Sequence, residues 1–146
     1  MADAAVTMPV GMVSEEKQRL MFCAERAFQL ATRVARAGNR VSEIGRVVER
    51  EVHRCGFSVI RELGGHGIGR TIHERPSVPN YSDPTVQQIL SEGLVITIEP
   101  IIAAGSGRAV VAGDGWTIRT ADRTASAHYE HTLVITNDEP IQLTAA

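Results

Sequence analysis

Three short stretches of the chain carry side chains able to do chemistry. In Gly64-Gly65-His66-Gly67-Ile68-Gly69 a histidine sits among glycines. Without Cβ atoms on either side the backbone bends tightly and leaves room beside the imidazole, which suits a ligand or a catalyst. The same string also reads as a glycine-rich turn with an incidental histidine. It is no dinucleotide fingerprint, because Thr71 to Pro79 contains two prolines and opens no helix.

The second stretch, Thr97-Ile98-Glu99-Pro100, closes the apolar run that begins at Leu94. On a strand, Leu94, Ile96 and Ile98 face one side, and Val95, Thr97 and Glu99 face the other. Removing a lone carboxylate from water is costly unless a cation compensates it, which argues for a role beyond structure at Glu99. The third stretch repeats the arrangement: Glu130, Thr132 and Val134 share one face, while His131, Leu133 and Ile135 share the other. One histidine and two glutamates make a mixed nitrogen and oxygen donor set suited to divalent Mn, Fe, Co or Zn. The bland alternative is a pair of solvated edge-strand glutamates. His53 and His128 read as structural or solvated, and His131 as a packed residue behind Glu130.

These residues need elements to hold them. From Ser14 to Ala37, Leu20, Met21, Ala24, Ala27, Phe28, Ala31, Val34 and Ala35 recur at three- and four-residue spacing, the stripe of an amphipathic helix, with Ser14 as N-cap and Gly38 as stop. A second stripe, Val41, Ile44, Val48, Val52 and Cys55, predicts a helix that ends at Gly56. Phe57–Arg61, Leu94–Ile102, Trp116–Thr120 and His128–Thr136 are rich in Val, Ile and Thr and read as strands of a mainly antiparallel sheet. Helices first and strands afterwards predict an α+β domain with two helices packed on one face of the sheet. At 146 residues the chain is long enough for one domain and too short for two of ordinary size. It is read as one unit: 1–13 a residual strand or tail, 14–56 the helices, and 57–146 the sheet with the candidate ligands.

Composition removes several classes of function. A hydrophobic fraction of 43% and a charged fraction of 22% are those of a soluble globular chain. A net charge of −2, with the arginines spread along the chain and Lys17 the only lysine, argues against a nucleic-acid partner. No segment approaches the roughly 18–20 apolar residues that span a bilayer, and Met1 to Val13 lacks the charge layout of a secretory signal. The cytoplasm is the expected address, and Cys23 and Cys55 are expected to be reduced.

Taken in series, the motifs become specific. Gly65-His66-Gly67-Ile68-Gly69-Arg70, His73-Glu74-x-Pro76, Thr97-Ile98-Glu99-Pro100, Asp114-Gly115-Trp116-Thr117 and Asp122-Arg123-x-x-Ser126-Ala127-x-Tyr129-Glu130-His131-Thr132 resemble the signature series of type I methionine aminopeptidases. That family shares the pita-bread fold with prolidases and creatinases, so the resemblance implies the C-terminal half of that fold. It implies a hydrolase that removes N-terminal Met from a peptide or nascent chain. His66, Glu99 and Glu130 fall on metal-ligand positions, Glu99 also on the proton shuttle, and His73 on the histidine that contacts the substrate and its tetrahedral intermediate. Trp116 and Ile72 fall on the pocket for the methionine side chain.

Thr7-Met8-Pro9-Val10-Gly11 resembles the strand after the family's bridging aspartate, and counting back from Thr7 lands on Asp3. A residue so near a terminus is held only where its strand pairs. The family's other aspartate and its N-terminal histidine have no counterpart here. One metal position is therefore expected, with a second incomplete, in a chain read as a shortened enzyme or as part of a longer product. An open pocket wall and an exposed sheet edge imply weak metal affinity and self-association or a complementing chain. The second reading is a non-catalytic pita-bread half that binds a peptide or partner.

Overall fold

In the computed structural model, which describes residues 1–144, a short strand β1 (Ala4–Val6) precedes helices α1 (Glu15–Thr32) and α2 (Val41–Arg54). Strands β2 (Ser58–Val59), β3 (Gly64–Gly67), β4 (Glu74–Pro79), β5 (Val95–Ile98), β6 (Ile101–Ala103), β7 (Ala109–Val111), β8 (Ile118–Thr120), β9 (Ser126–Val134) and β10 (Ile141–Gln142) follow. The main sheet runs β2-β6-β9-β5-β3-β4, with β1 and β10 also paired to β9, and all these pairings are antiparallel. β7 and β8 form a separate hairpin. Among the described residues no helix is long and apolar enough to cross a membrane.

Both helices lie on one face of the sheet. Leu20, Cys23, Ala24, Ala27, Phe28 and Ala31 of α1 are buried in one cluster with Val41, Ile44, Val48 and Val52 of α2. The sheet adds Ile96, Ile98, Ile102, Ala127, Leu133 and Ile135 to the same cluster. Alternation along β9 explains the sorting: Ala127, Tyr129, His131 and Leu133 turn toward the helices, so His128, Glu130 and Thr132 turn to the opposite face. Phe28 packs 5.2 Å from the Tyr129 ring and 5.3 Å from the His131 ring, centroid to centroid. His131 is thus a packed residue, as expected, and its Nδ1 lies 2.9 Å from Thr144 Oγ1.

The first helix starts where its cap predicts, with Lys17 N–H donating to Ser14 Oγ. It ends at Thr32, well before Gly38. Thr32 Oγ1 donates to the Phe28 carbonyl, and the next backbone N–H groups make tight three-residue turns. Ala37 N–H then donates to Thr136 O and Gly38 N–H to Leu90 O, so other segments take over the backbone before the glycine is reached. The apolar stripe continues to Ala35 because the turns keep it buried.

Two strands of the site region run through sequence that reads as turn. β3 is built of glycines because its neighbours come too close for side chains: a Cβ on Gly65 would run into the Thr97 carbonyl, and one on Gly67 into the Arg75 carbonyl. β4 holds two prolines, tolerated because its outer edge has no further strand among the described residues. Cys23 is buried, Cys55 half-buried, and both are free thiols.

Candidate metal centre

Four adjacent strands, β3, β5, β9 and β1, bring the candidate ligands to the face away from the helices. Gly67 of β3 pairs with Ile96 of β5, Ile98 of β5 with His131 of β9, and Ala5 of β1 with Glu130. His66 therefore sits next to the end of β5, where Glu99 emerges, with Glu130 on the next strand and Asp3 just ahead of the one after.

Each side chain is aimed by a neighbour. His66 N–H donates to Thr97 Oγ1 at 3.0 Å, and the same hydroxyl lies 3.3 Å from Glu99 Oε2, to which it donates. His66 Nδ1 lies 3.0 Å from the Gly67 carbonyl; a carbonyl only accepts, so Nδ1 carries the hydrogen and the Nε2 lone pair faces outward. Nε2 points at the carboxylates, 3.8 Å from Glu99 Oε2 and 3.9 Å from Asp3 Oδ2. Asp3 is held despite its place in the chain, because Thr132 Oγ1 accepts from its N–H at 2.8 Å and donates to its carbonyl at 2.7 Å. Thr97 and Thr132 face each other across the β5–β9 ladder, so one pair of hydroxyls fixes both ends of the cluster.

The electrostatics are those of a site short of positive charge. Glu99 is 8% exposed and Glu130 is 3% exposed. Burial, followed by the hydrogen bond and negative charge of Glu130, pushes the Glu99 carboxyl up to about 9. Burial pulls Glu130 the same way, but the nearby His128 imidazole and a hydrogen bond from protonated Glu99 bring it below the ordinary carboxyl value. The two carboxyls share one proton where no cation is bound. Glu130 Oε1 and His128 Nε2 are buried without a hydrogen-bond partner among the described residues. Orphaned buried acceptors of this kind fit a cation, and so does the donor chemistry, imidazole and carboxylate together.

Two triads have donor atoms within 4.8 Å of one another: Asp3, His66 and Glu130, and Glu99, His128 and Glu130. His128, read from sequence as structural or solvated, stands 3.3 Å from Glu130 Oε2 through its Nε2. The signal that places it was the same alternation used for Glu130, carried two residues back along β9.

The remaining candidates lie further out. The His73 ring packs on the His66 ring, centroids 4.2 Å apart. Ile72 is half-buried in the loop between β3 and β4. Trp116, expected to line a pocket, is 87% exposed beyond the end of β7, its backbone N–H donating to Asp114 Oδ1 at 3.0 Å. The hairpin that carries it is not part of the main sheet, and none of the described residues encloses the indole.

Likeness to known proteins agrees with this geometry. Residues 1–137 match the sequence profile of metallopeptidase family M24. The chain is 45% identical over 144 residues to methionine aminopeptidase 2 of Bacillus subtilis (strain 168), an alignment that covers 98% of this chain and 58% of that one. Its structure superposes on methionine aminopeptidase from Thermotoga maritima with a TM-score of 0.95 at 37% identity, covering 99% of this chain and 58% of the other. Prolidase from Pyrococcus furiosus gives a TM-score of 0.77 at 25% identity, covering 99% of this chain and 37% of that enzyme. The chain thus spans a little over half the length of the curated relatives it matches. The expected α+β pita-bread architecture is the one these structures share.

Proposed function

Because the chain belongs to metallopeptidase family M24, we propose that it acts as a metal-dependent aminopeptidase of the methionine class, hydrolysing the N-terminal Met from a peptide or nascent chain. The observation that carries this reading is the buried cluster of His66, Glu99, Glu130 and Asp3, with a Glu130 oxygen left without a partner among the described residues. The proposed ligands are His66, Glu99 and Glu130, with Asp3, and the donor set suits divalent Mn, Fe, Co or Zn. A divalent ion held there supplies Lewis acidity, acidifying a water and polarising a peptide carbonyl.

The chain's own residues do the rest. Glu99, with its raised proton affinity, is the group proposed to take a proton and pass it to the leaving amine. His73, exposed and stacked beside His66, is proposed to donate a hydrogen bond to the developing oxyanion. Ile72 and the exposed face of Trp116 are proposed to receive the methionine side chain, whose thioether suits an aromatic surface. β1 has no partner but β9 among the described residues, and its outer edge is where self-association or a complementing chain would add a strand.

The test is turnover of a Met-Ala-type peptide by the purified chain with Mn or Co added, against Glu99→Ala. Metal-dependent release of Met that the substitution abolishes is expected. Turnover unaffected by Glu99→Ala would point to a contaminant, and no turnover with any metal would favour the peptide- or partner-binding reading.

A further inference from the structure

We infer that Cys23 and Cys55 form a reversible disulfide between α1 and the end of α2 when hydrogen peroxide reaches the chain, Cys55 reacting first and Cys23 closing the bond. This modification site goes beyond the metallopeptidase reading and is independent of it.

Helix geometry brings the two thiols together. Arg19, Cys23 and Arg26 follow one another at four- and three-residue spacing along α1, so they share one stripe of the helix. Arg19 Nη2 donates to the Cys55 carbonyl at 3.3 Å, and Arg26 Nε donates to Glu51 Oε1 at 2.8 Å. That same Glu51 oxygen accepts from the Cys55 thiol at 3.8 Å. Cys55 is thereby held between the turns of α1 that lie on either side of Cys23. Both cysteines pack in the apolar cluster that joins the helices, and both are free thiols.

The two sulfurs differ in what they can do. Cys55 is half-buried at the C-cap of α2, within reach of a small solute, and Arg54 Nη2 lies 3.9 Å from its sulfur, placed to steady a developing negative charge. Cys23 is fully buried, and burial, followed by the neighbouring Cys55 thiol, raises its proton affinity, so it waits as a neutral thiol. In the first step the Cys55 thiolate attacks one peroxide oxygen and the O–O bond breaks. Sulfenic acid forms, and the hydroxide released takes the proton that Cys55 lost. In the second step the Cys23 sulfur attacks the Cys55 sulfur, the S–O bond breaks, and the hydroxyl leaves with the Cys23 proton as water. Peroxide gains the two electrons that the thiols give up. Packing of two small core residues would need neither the half-exposed position of Cys55 nor the guanidinium beside it.

The test treats the reduced full chain with a few equivalents of hydrogen peroxide, alkylates the remaining thiols and digests without reductant. Peptides are read by mass rather than the whole chain, because the exposed Met8 and Met12 also take up oxygen. A peptide linked through Cys23 and Cys55 of one chain is expected. The thermal midpoint should rise by roughly 10 °C and fall back with dithiothreitol, which leaves methionine sulfoxide as it is. Cys23→Ser should leave Cys55 as a sulfenic acid that dimedone captures, and Cys55→Ser should leave Cys23 an unreacted thiol. Two thiols still open to alkylation after peroxide, a link only between separate chains, or dimedone on Cys23 in Cys55→Ser overturns the inference and leaves the metallopeptidase reading standing. The linked peptide is read in the wild type, so a variant that fails to fold does not decide the matter.

Discussion

Glu51 on α2 and Glu99, beside Glu130 on the opposite face of the sheet, are both buried carboxyls, yet they end in opposite electrical states. Glu51, 6% exposed, accepts from Arg54 at 2.6 and 2.8 Å and from Arg26 at 2.8 Å. The hydrogen bonds from Arg54, working against burial, and then the one from Arg26 hold its carboxyl below the ordinary value. Among the described residues Glu99 and Glu130 have no arginine in place; they have each other, two imidazoles and Asp3. A buried charge answered from within the chain is architecture, while one left for an outside cation to answer is a binding site.

The largest effect should come from removing the shared ligand. Glu130→Gln should abolish the Mn-induced rise in thermal midpoint, a loss of at least about 100-fold in metal affinity. It should leave the metal-free chain as stable as before or more so, because a buried charge that no arginine answers disappears. A metal-free variant much less stable than wild type would mean that Glu130 is architecture after all.

Next in size is a pH dependence of opposite sign on the two faces. Glu99 titrates near 9 when folded against an ordinary value of 4.5, so the folded chain holds the extra proton between those limits. Its contribution to stability is full below pH 4.5 and is lost as pH rises toward 9. Glu51 runs the other way: its contribution is present above the ordinary carboxyl value and lost as pH falls below it. Metal-free melting curves should therefore show a maximum at mildly acidic pH, and added Mn should lift the alkaline limb alone. A flat alkaline limb without metal would remove the contrast.

Smaller effects should separate aim from charge. Glu51→Gln should cost about 1–2 kcal/mol of stability in denaturant melts, the half-exposed arginines regaining water, with metal binding unchanged. Thr97→Val keeps shape but frees Glu99 and the backbone of His66, and should weaken Mn binding about tenfold in calorimetry while stability shifts by about 1 kcal/mol.

Much of the fold can be read from residue spacing. The stripes of α1 and α2 are long and periodic, and the strands around Ile96 and Leu133 are apolar on one face, so burial speaks directly through spacing. β3 and β4 are not legible, because their glycines and prolines answer to neighbouring strands that lie far along the chain. The site divides in the same way. Glu99 and Glu130 are visible as carboxylates inside apolar strands. Asp3 depends on a long-range bond to Thr132 that no local pattern carries, and the family resemblance supplied it instead. His128 is within reach of the period of two, since it lies two residues before Glu130 on the same face of β9. Glu51 sits three residues beyond Val48, within the apolar stripe, and its two arginine partners are what make that position tolerable.

The antiparallel ladder that sets Thr97 opposite Thr132 also ties folding to assembly of the centre. Moving β9 by a single step would turn Leu133 to solvent and drive Glu130 and Thr132 into the helices at once, so a misaligned copy forfeits its hydrophobic interior together with its ligands. Cooperative folding thereby proof-reads the donor geometry: a molecule that reaches its native core has already positioned the carboxylates.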